Sequence, residues 1–293
     1  MKGDLDDLSQ TAKDYALLPW TAGCHKTVIE HNEWKNAVRA YLATISFVDA
    51  QIGKVLDALD KSDYSENTWI IFFSDHGWHL GEKEHWGKHT AWEKATKVPF
   101  ILVPPRKYSS IYKNKICKKP VNLLDIYPTV IEMAGLKEKK GLEGKNLIPL
   151  VQNPGLEWNK VTVTTLGRGS HAITDGTWKY IHYFDGNEEL YYLKNDPEEF
   201  YNIVAADSLT NIKNYLKYFI PDDPHFSHFI RYKNWKVAIK PNGDIMLFDI
   251  YGVDGISEQE DVAGKNPYII SEIHNYVKRN PGLSKYVNST SLN

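Results

Sequence analysis

The clearest alternation of apolar and polar positions in the chain begins at Asn32. Trp34, Val38, Tyr41, Ile45, Val48, Ile52, Val55 and Leu59 recur every three or four positions, which is the stripe of an amphipathic helix. The spacing predicts one helix from Asn32, as N-cap, to about Lys61. Gly53 is tolerated inside it at a cost of about 1 kcal/mol. Residues 1–33 show no clear period, and Pro19 and Gly23 interrupt them. Two short apolar runs follow, Thr68–Phe73 and Val98–Val103, the second closed by Pro104 and Pro105. Being apolar on both faces, they predict strands covered on both sides. A helix over Leu123–Ala134, with Gly135 as its C-cap, comes next. Helix, strand, loop, strand and helix in this order predict a layered α/β sheet.

The second half carries a weak repeat. TWKYIHYFDGNEELYYLKNDPEEF (177–200) and NWKVAIKPNGDIMLFDIYGVDGISEQED (234–261) share Trp-Lys, an apolar alternation, a Gly/Asn turn and an acidic stretch. Each predicts a β-hairpin. Together they are expected to form a small antiparallel sheet, with a final helix near Pro267–Lys278. The expected division is residues 1–155 for the α/β core and 156–293 for a smaller C-terminal subdomain.

Composition narrows the class. With 42% hydrophobic and 25% charged residues in 293, the chain excludes bulk disorder. Its 35 Lys+Arg against 37 Asp+Glu leave no electrostatic footprint for nucleic acid or an anionic membrane surface. No apolar stretch approaches the roughly 18 residues of a membrane helix. The N-terminal MKGDLDDLSQ is polar and acidic and does not read as a signal peptide. Cys24 and Cys117 are too few for a disulfide scaffold, and no close-spaced Cys and His suggest zinc. Whether the two pair stays open, and so does the redox compartment. The Asn-Ser-Thr tripeptide at Asn288 is too common to argue for secretion. Six Lys/Arg in residues 106–119 read as a solvated loop more readily than as an anion-steering patch.

Candidate chemistry concentrates in SDHGWHLGEKEHWGKHT (74–90). It lies in the polar stretch 75–97 between the two predicted strands, and loops of that length are usually functional. Asp75 and His76 stand at the carboxyl end of a strand, where ligands bind in such sheets. A carboxylate and an imidazole there can share a divalent cation, although an Asp-His pair is more often a hydrogen-bonded turn. A hard cation wants 6–8 oxygen-rich ligands, and the pair supplies about two. Lys88, twelve residues on, offers a point charge for an oxyanion.

Strand, then SDHGWHLGE…WGKHT, then VPFILV resembles the C-terminal half of the sulfatase family. The most similar branch holds iduronate-2-sulfatase and its bacterial relatives. YLATISFVDAQIGKVLDALD before the motif, and VNLLDIYPTVIEMAGL and GTWKYIHYFDGNEELYYLKNDPEE after it, resemble the family too, so the likeness spans roughly residues 31–205. The resemblance implies an α/β fold: the C-terminal part of an alkaline-phosphatase-like layered sheet, plus a smaller antiparallel subdomain. It implies Asp75 and His76 as ligands of Ca²⁺, and Lys88 as the catalytic group holding a sulfate oxygen and the leaving oxyanion. His79, His85 and His89 sit where substrate contacts are expected, though the family pattern assigns them no role.

One departure matters. Sulfatases convert the Cys or Ser of C/S-x-P/A-x-R to formylglycine, the nucleophile. None of the five arginines here, Arg39, Arg106, Arg168, Arg231 and Arg279, stands in that motif; Arg231 follows Ser227 at the right spacing, but Phe229 occupies the Pro/Ala position. Asp6-Asp7 follows no apolar strand, so the family's paired aspartate ligands also lack a counterpart. The expectation is an N-terminally truncated chain, inactive alone and poorly soluble unless a partner supplies the other half, which would also carry any export signal. The family is usually periplasmic, secreted or lysosomal. The expected substrate is a sulfated small molecule or glycan such as a sulfated uronate. Two alternatives are a non-catalytic subunit that binds sulfated glycans or complements another chain, and a hydrolase of phosphate or phosphonate esters.

Overall fold

A computed structural model describes residues 3–17, 25–108, 115–158, 160–167, 169–221, 228–232, 235–239, 245–249 and 262–279. Cys24, Asn288, Pro19 and Gly23 lie outside the described residues. The chain gathers into two compact units, 1–220 and 221–293. The boundary expected at 155/156 falls inside the first.

Residues 1–33, which show no period, nevertheless form two helices, α1 (Gln10–Ala16) and α2 (His25–Glu30). Ser9 caps α1 by accepting from the Ala12 amide. Leu5, Leu8, Ala12 and Ala16 are buried against Trp92, Ile181, Tyr183 and Tyr191. Asp7 accepts the Asn202 amide at 2.6 Å, which ties this segment to a loop nearly 200 residues away.

The long helix is α3 (Trp34–Asp60). Its N-cap is Glu33 rather than Asn32, which instead takes a left-handed φ of 54° just before it. None of its residues is buried. Phe47 and Val55 are 66% and 69% exposed, so the apolar stripe is formed but largely uncovered.

The two predicted strands are β1 (Ile70–Phe73) and, after the loop, a partner over Phe100–Val103. They pair antiparallel, Ile70 opposite Val103 and Phe73 opposite Phe100. The expected cover on both sides is not found: Phe72, Phe73, Ile101 and Val103 are all exposed. Between them lie β2 (His79–Leu80) and β3 (Trp86–Gly87), which pair as a short hairpin, and then the single turn α4 (Glu93–Thr96), so that Phe100–Val103 is β4. The 123–134 helix starts as a 3₁₀ turn with an Asn122–Asp125 capping box and continues as α5 (Ile126–Met133), ending at Gly135 with φ 64°. A further short helix, α6, covers Ile148–Gln152.

A four-stranded antiparallel sheet follows, in the order β5 (Thr162–Gly167), β6 (Ser170–Thr174), β7 (Trp178–His182), β8 (Glu188–Tyr192). Period-two alternation gives it two buried faces. Ala172, Ile181 and Tyr191 meet the α1 segment, while Ile173, Tyr180 and Leu190 meet α7 (Thr210–Lys217) through Leu216. In the second unit β9 (His228–Tyr232), β10 (Trp235–Ile239) and β11 (Ile245–Asp249) form a three-stranded antiparallel sheet. Val237 and Leu247 pack on Ile269 and Ile273 of α8 (Pro267–Lys278), the predicted final helix. Both predicted hairpins form, as β7–β8 and β10–β11, but in different sheets rather than one. Each found another strand of its own neighbourhood to pair with, which a repeat pattern cannot foresee.

Candidate active site

Asp75 and His76 leave the end of β1 in a turn. The Asp75 carboxylate accepts the His76 amide at 3.1 Å, and the Ser74 hydroxyl donates to the His76 carbonyl at 2.8 Å. Gly77 lets the returning chain close on this turn: its amide donates to the Ala95 carbonyl at 2.8 Å, and a Cβ there would stand 2.0 Å from the Lys94 carbonyl oxygen. No other residue fits without moving backbone.

The His76 ring is oriented by its own turn. Nδ1 lies 2.8 Å from the Gly77 carbonyl, an acceptor only, so Nδ1 carries the proton and Nε2 presents a lone pair. Lys88 Nζ donates to that Nε2 at 2.8 Å, and the Asp75 carboxylate lies 3.6 Å from it. The Asp75 side chain is 80% exposed. Trp78 anchors the turn to α3, its ring 6.3 Å from Tyr41 and 6.4 Å from His76.

The three histidines expected at the substrate divide. His79 and His85 lie in the core, their rings 5.1 Å apart. His79 uses Nδ1 on the Glu82 carbonyl and Nε2 on Thr90. Burial, then neighbouring His85, pushes its pKa down to about 3, so it is neutral. His85 faces the carbonyls of Ala16 and Lys88, each at 2.6 Å, leaving no nitrogen for a ligand. Its contact on the Lys88 carbonyl holds the backbone from which the lysine projects. His89 alone of the three borders the cavity described next, with φ 66° and its pKa lowered by burial and by Lys88.

Asp75, His76 and Lys88 open into a cavity of about 1030 Å³ bounded by α4, residues 117–123, β5 and the ends of β6 and β8. Sequence reasoning missed most of this wall, including Lys118, Lys119, Thr164 and Lys194. The only advance signal was the basic run 106–119. Behind the cavity Lys179, buried, holds Glu93 at 2.9 Å and Thr96 at 2.7 Å, pinning α4 to β7. Burial raises the Glu93 carboxyl, but Lys179 outweighs it and holds the pKa below the usual range.

The donor chemistry suits a hard divalent cation in part. A carboxylate oxygen and a lone-pair nitrogen lie 3.6 Å apart, and the Lys88 ammonium stands on that nitrogen. Among the described residues no group of three or more His, Cys, Asp or Glu could complete such a site. Also among them, no helix is long and apolar enough to cross a membrane.

Two sequence models match the chain in overlap: the sulfatase model over residues 8–136, and the model described as N-sulphoglucosamine sulphohydrolase, C-terminal, over residues 81–222. A sulfatase of Formosa agariphila is 40% identical over 203 residues, which are 68% of this chain and 38% of that protein. The chain belongs to the sulfatase family. An arylsulfatase of Clostridium perfringens is 29% identical over 66% of the chain and 41% of its own length. Among solved structures, a protein in complex with its substrate D-glucosamine-2-N,6-O-disulfate matches with TM-score 0.52 and 26% identity, over 61% of this chain and 38% of that one. The chain thus spans about two fifths of the length of the curated sulfatases it matches. The structural likeness bears out the expected fold, an α/β layer joined to antiparallel sheets.

Proposed function

We propose that this sulfatase chain supplies the cation-and-lysine side of a sulfate ester hydrolase site, acting on a sulfated carbohydrate. The carrying observation is that the Asp75 carboxylate and Lys88 Nζ both lie close to His76 Nε2, at 3.6 and 2.8 Å, and that all three residues line one cavity. Asp75 and His76 would hold the divalent cation, Ca²⁺ by family resemblance, with the Gly77 carbonyl fixing the imidazole tautomer as ligating histidines require. When bound, the cation supplies fixed positive charge beside the sulfate oxygens. Lys88 donates to a sulfate oxygen and meets the charge that grows on the leaving oxygen; such a donor is aimed at the transition state rather than the ground state. The contact of its ammonium with His76 Nε2 at 2.8 Å supports this reading. The sulfated sugar held by the structurally similar enzyme supports the substrate class.

No C/S-x-P/A-x-R occurs in the 293 residues, so the attacking group must come from outside them. The exposed apolar residues of α3, β1 and β4 support the same reading, since further sulfatase sequence would pack there. The test is complementation. The purified chain is mixed with the portion of the Formosa agariphila relative that it does not cover, matured to formylglycine. Calcium-dependent release of sulfate from an aryl sulfate by the mixture, with none from the chain alone, supports the proposal. Sulfate release from the chain alone refutes the division of labour. Tight binding of sulfated sugar with no turnover in any mixture favours a binding subunit.

A further inference from the structure

The cavity has a second charged wall. Six lysines border it (Lys88, Lys97, Lys118, Lys119, Lys179, Lys194) against two carboxylates, Asp75 and Glu93. Glu93 is engaged by Lys179 at 2.9 Å and Lys97 at 3.7 Å, and Lys88 rests on His76. Lys118, Lys119 and Lys194 have no ion pair or hydrogen bond among the described residues. All three border the same cavity, Lys118 and Lys194 with exposed side chains and Lys119 half-buried, and a concave wall focuses the field of like charges along it.

The backbone that carries them is fixed. The Pro120 carbonyl accepts from Trp158 Nε1 at 3.0 Å, and Asn122 Nδ2 donates to the Val163 carbonyl on β5 at 3.1 Å. Gly176, with φ 85°, lets the β6–β7 turn lie against Pro120 and the Lys118 carbonyl, 3.5 and 3.6 Å from where a Cβ would be. The Leu193 amide donates to the Thr177 carbonyl at 2.9 Å, which seats Lys194 beside the same turn. Two stretches some 75 residues apart are thereby held on one rim of the cavity.

We propose that Lys118, Lys119 and Lys194 form a second anion subsite, so that the preferred substrate carries another acidic substituent besides the ester held at Lys88. The inference rests on the reading of Lys88 given above and names the substrate more narrowly. A cavity of about 1030 Å³ has room for two sugar rings. The second group, a sulfate or carboxylate oxyanion, would replace the absent counter-charge; the lysines act on affinity and choice of substrate, not on bond breaking.

The experiment is calorimetric binding of lactose 6′-sulfate and lactose 6,6′-disulfate to the 293-residue chain at two salt concentrations. The disulfate is expected to bind at least tenfold tighter, with the steeper salt dependence. Replacing all three lysines (K118Q, K119Q, K194Q) should bring the disulfate down to the monosulfate level. Removing the same number of charges elsewhere (K137Q, K139Q, K140Q) should keep the preference. Equal affinities in the native chain, or a preference surviving the triple change, overturn the subsite. Lys88→Gln separates the two ideas: it should weaken both ligands alike. If it weakens neither while the disulfate preference persists, the reading of Lys88 fails and the subsite stands. If neither sugar binds, both fall. A thermal melt confirms that each variant is folded.

Discussion

Lys88 Nζ stands 2.8 Å from His76 Nε2, so the lysine twelve residues on reaches the histidine at the end of β1. In the complemented enzyme, Lys88→Ala is expected to lower kcat by about 10²–10³-fold, the usual loss of one preorganised transition-state donor. Lys88→Arg should recover only part of this, because a planar guanidinium does not reproduce a point charge. Steady-state hydrolysis of an aryl sulfate measures both. An unchanged kcat for Lys88→Ala removes the lysine from the chemistry.

A buried ion pair ties the start of the chain to the loop. Lys83 Nζ meets Asp4 Oδ1 at 2.9 Å with both side chains 1% exposed, and it also donates to the Glu199 carbonyl. Asp4→Ala leaves that ammonium uncompensated in the core, which costs about 3–5 kcal/mol. Chemical denaturation should show the loss, and the Asp4→Ala, Lys83→Met double variant should recover part of it.

Glu199 introduces pH dependence. Burial raises its pKa from 4.5 to about 7 despite Lys179 at 3.7 Å, and its Oε1 has no hydrogen-bond partner. Glu93 and Glu189 add like charge, while Lys179 and the Glu93 amide oppose it. The folded state keeps the proton that the unfolded chain releases, so this group favours folding below pH 4.5. That contribution fades as pH rises from 4.5 to 7, by about 3 kcal/mol. Glu199→Gln keeps the acceptor for the Glu93 amide and removes the titration. Relative to the native chain, the variant should gain stability between pH 5 and 8; parallel stability curves would contradict the assignment.

The uncovered stripe of α3 should make the isolated chain associate with itself. Phe47, Val48 and Val55 are each at least half exposed, and among the described residues β1 pairs on one side only, beside exposed Phe72 and Phe73. Light scattering is expected to show concentration-dependent oligomers, reduced by changing Phe47 and Val55 to Gln. A monodisperse monomer at high concentration would count against further sequence packing on this face.

Local periodicity was enough to place much of this molecule from its residues alone. The stripe of α3, the runs that became β1 and β4, the two hairpins and α8 each depend on neighbours two to four positions apart. The strand-end motif likewise put Asp75, His76 and Lys88 on one loop. Other features depended on packing between distant stretches. Nothing in residues 1–33 announces α1, whose buried residues find their partners on β7 and β8. Trp92 meets Glu189 from 97 positions away and Lys83 meets the Glu199 carbonyl from 116, so the interior of the loop follows from contacts no short pattern contains. The same packing took His79 and His85 out of the site and turned Lys118, Lys119 and Lys194 toward it. Periodicity tells which face of an element is apolar; only the assembled chain decides what, if anything, covers that face.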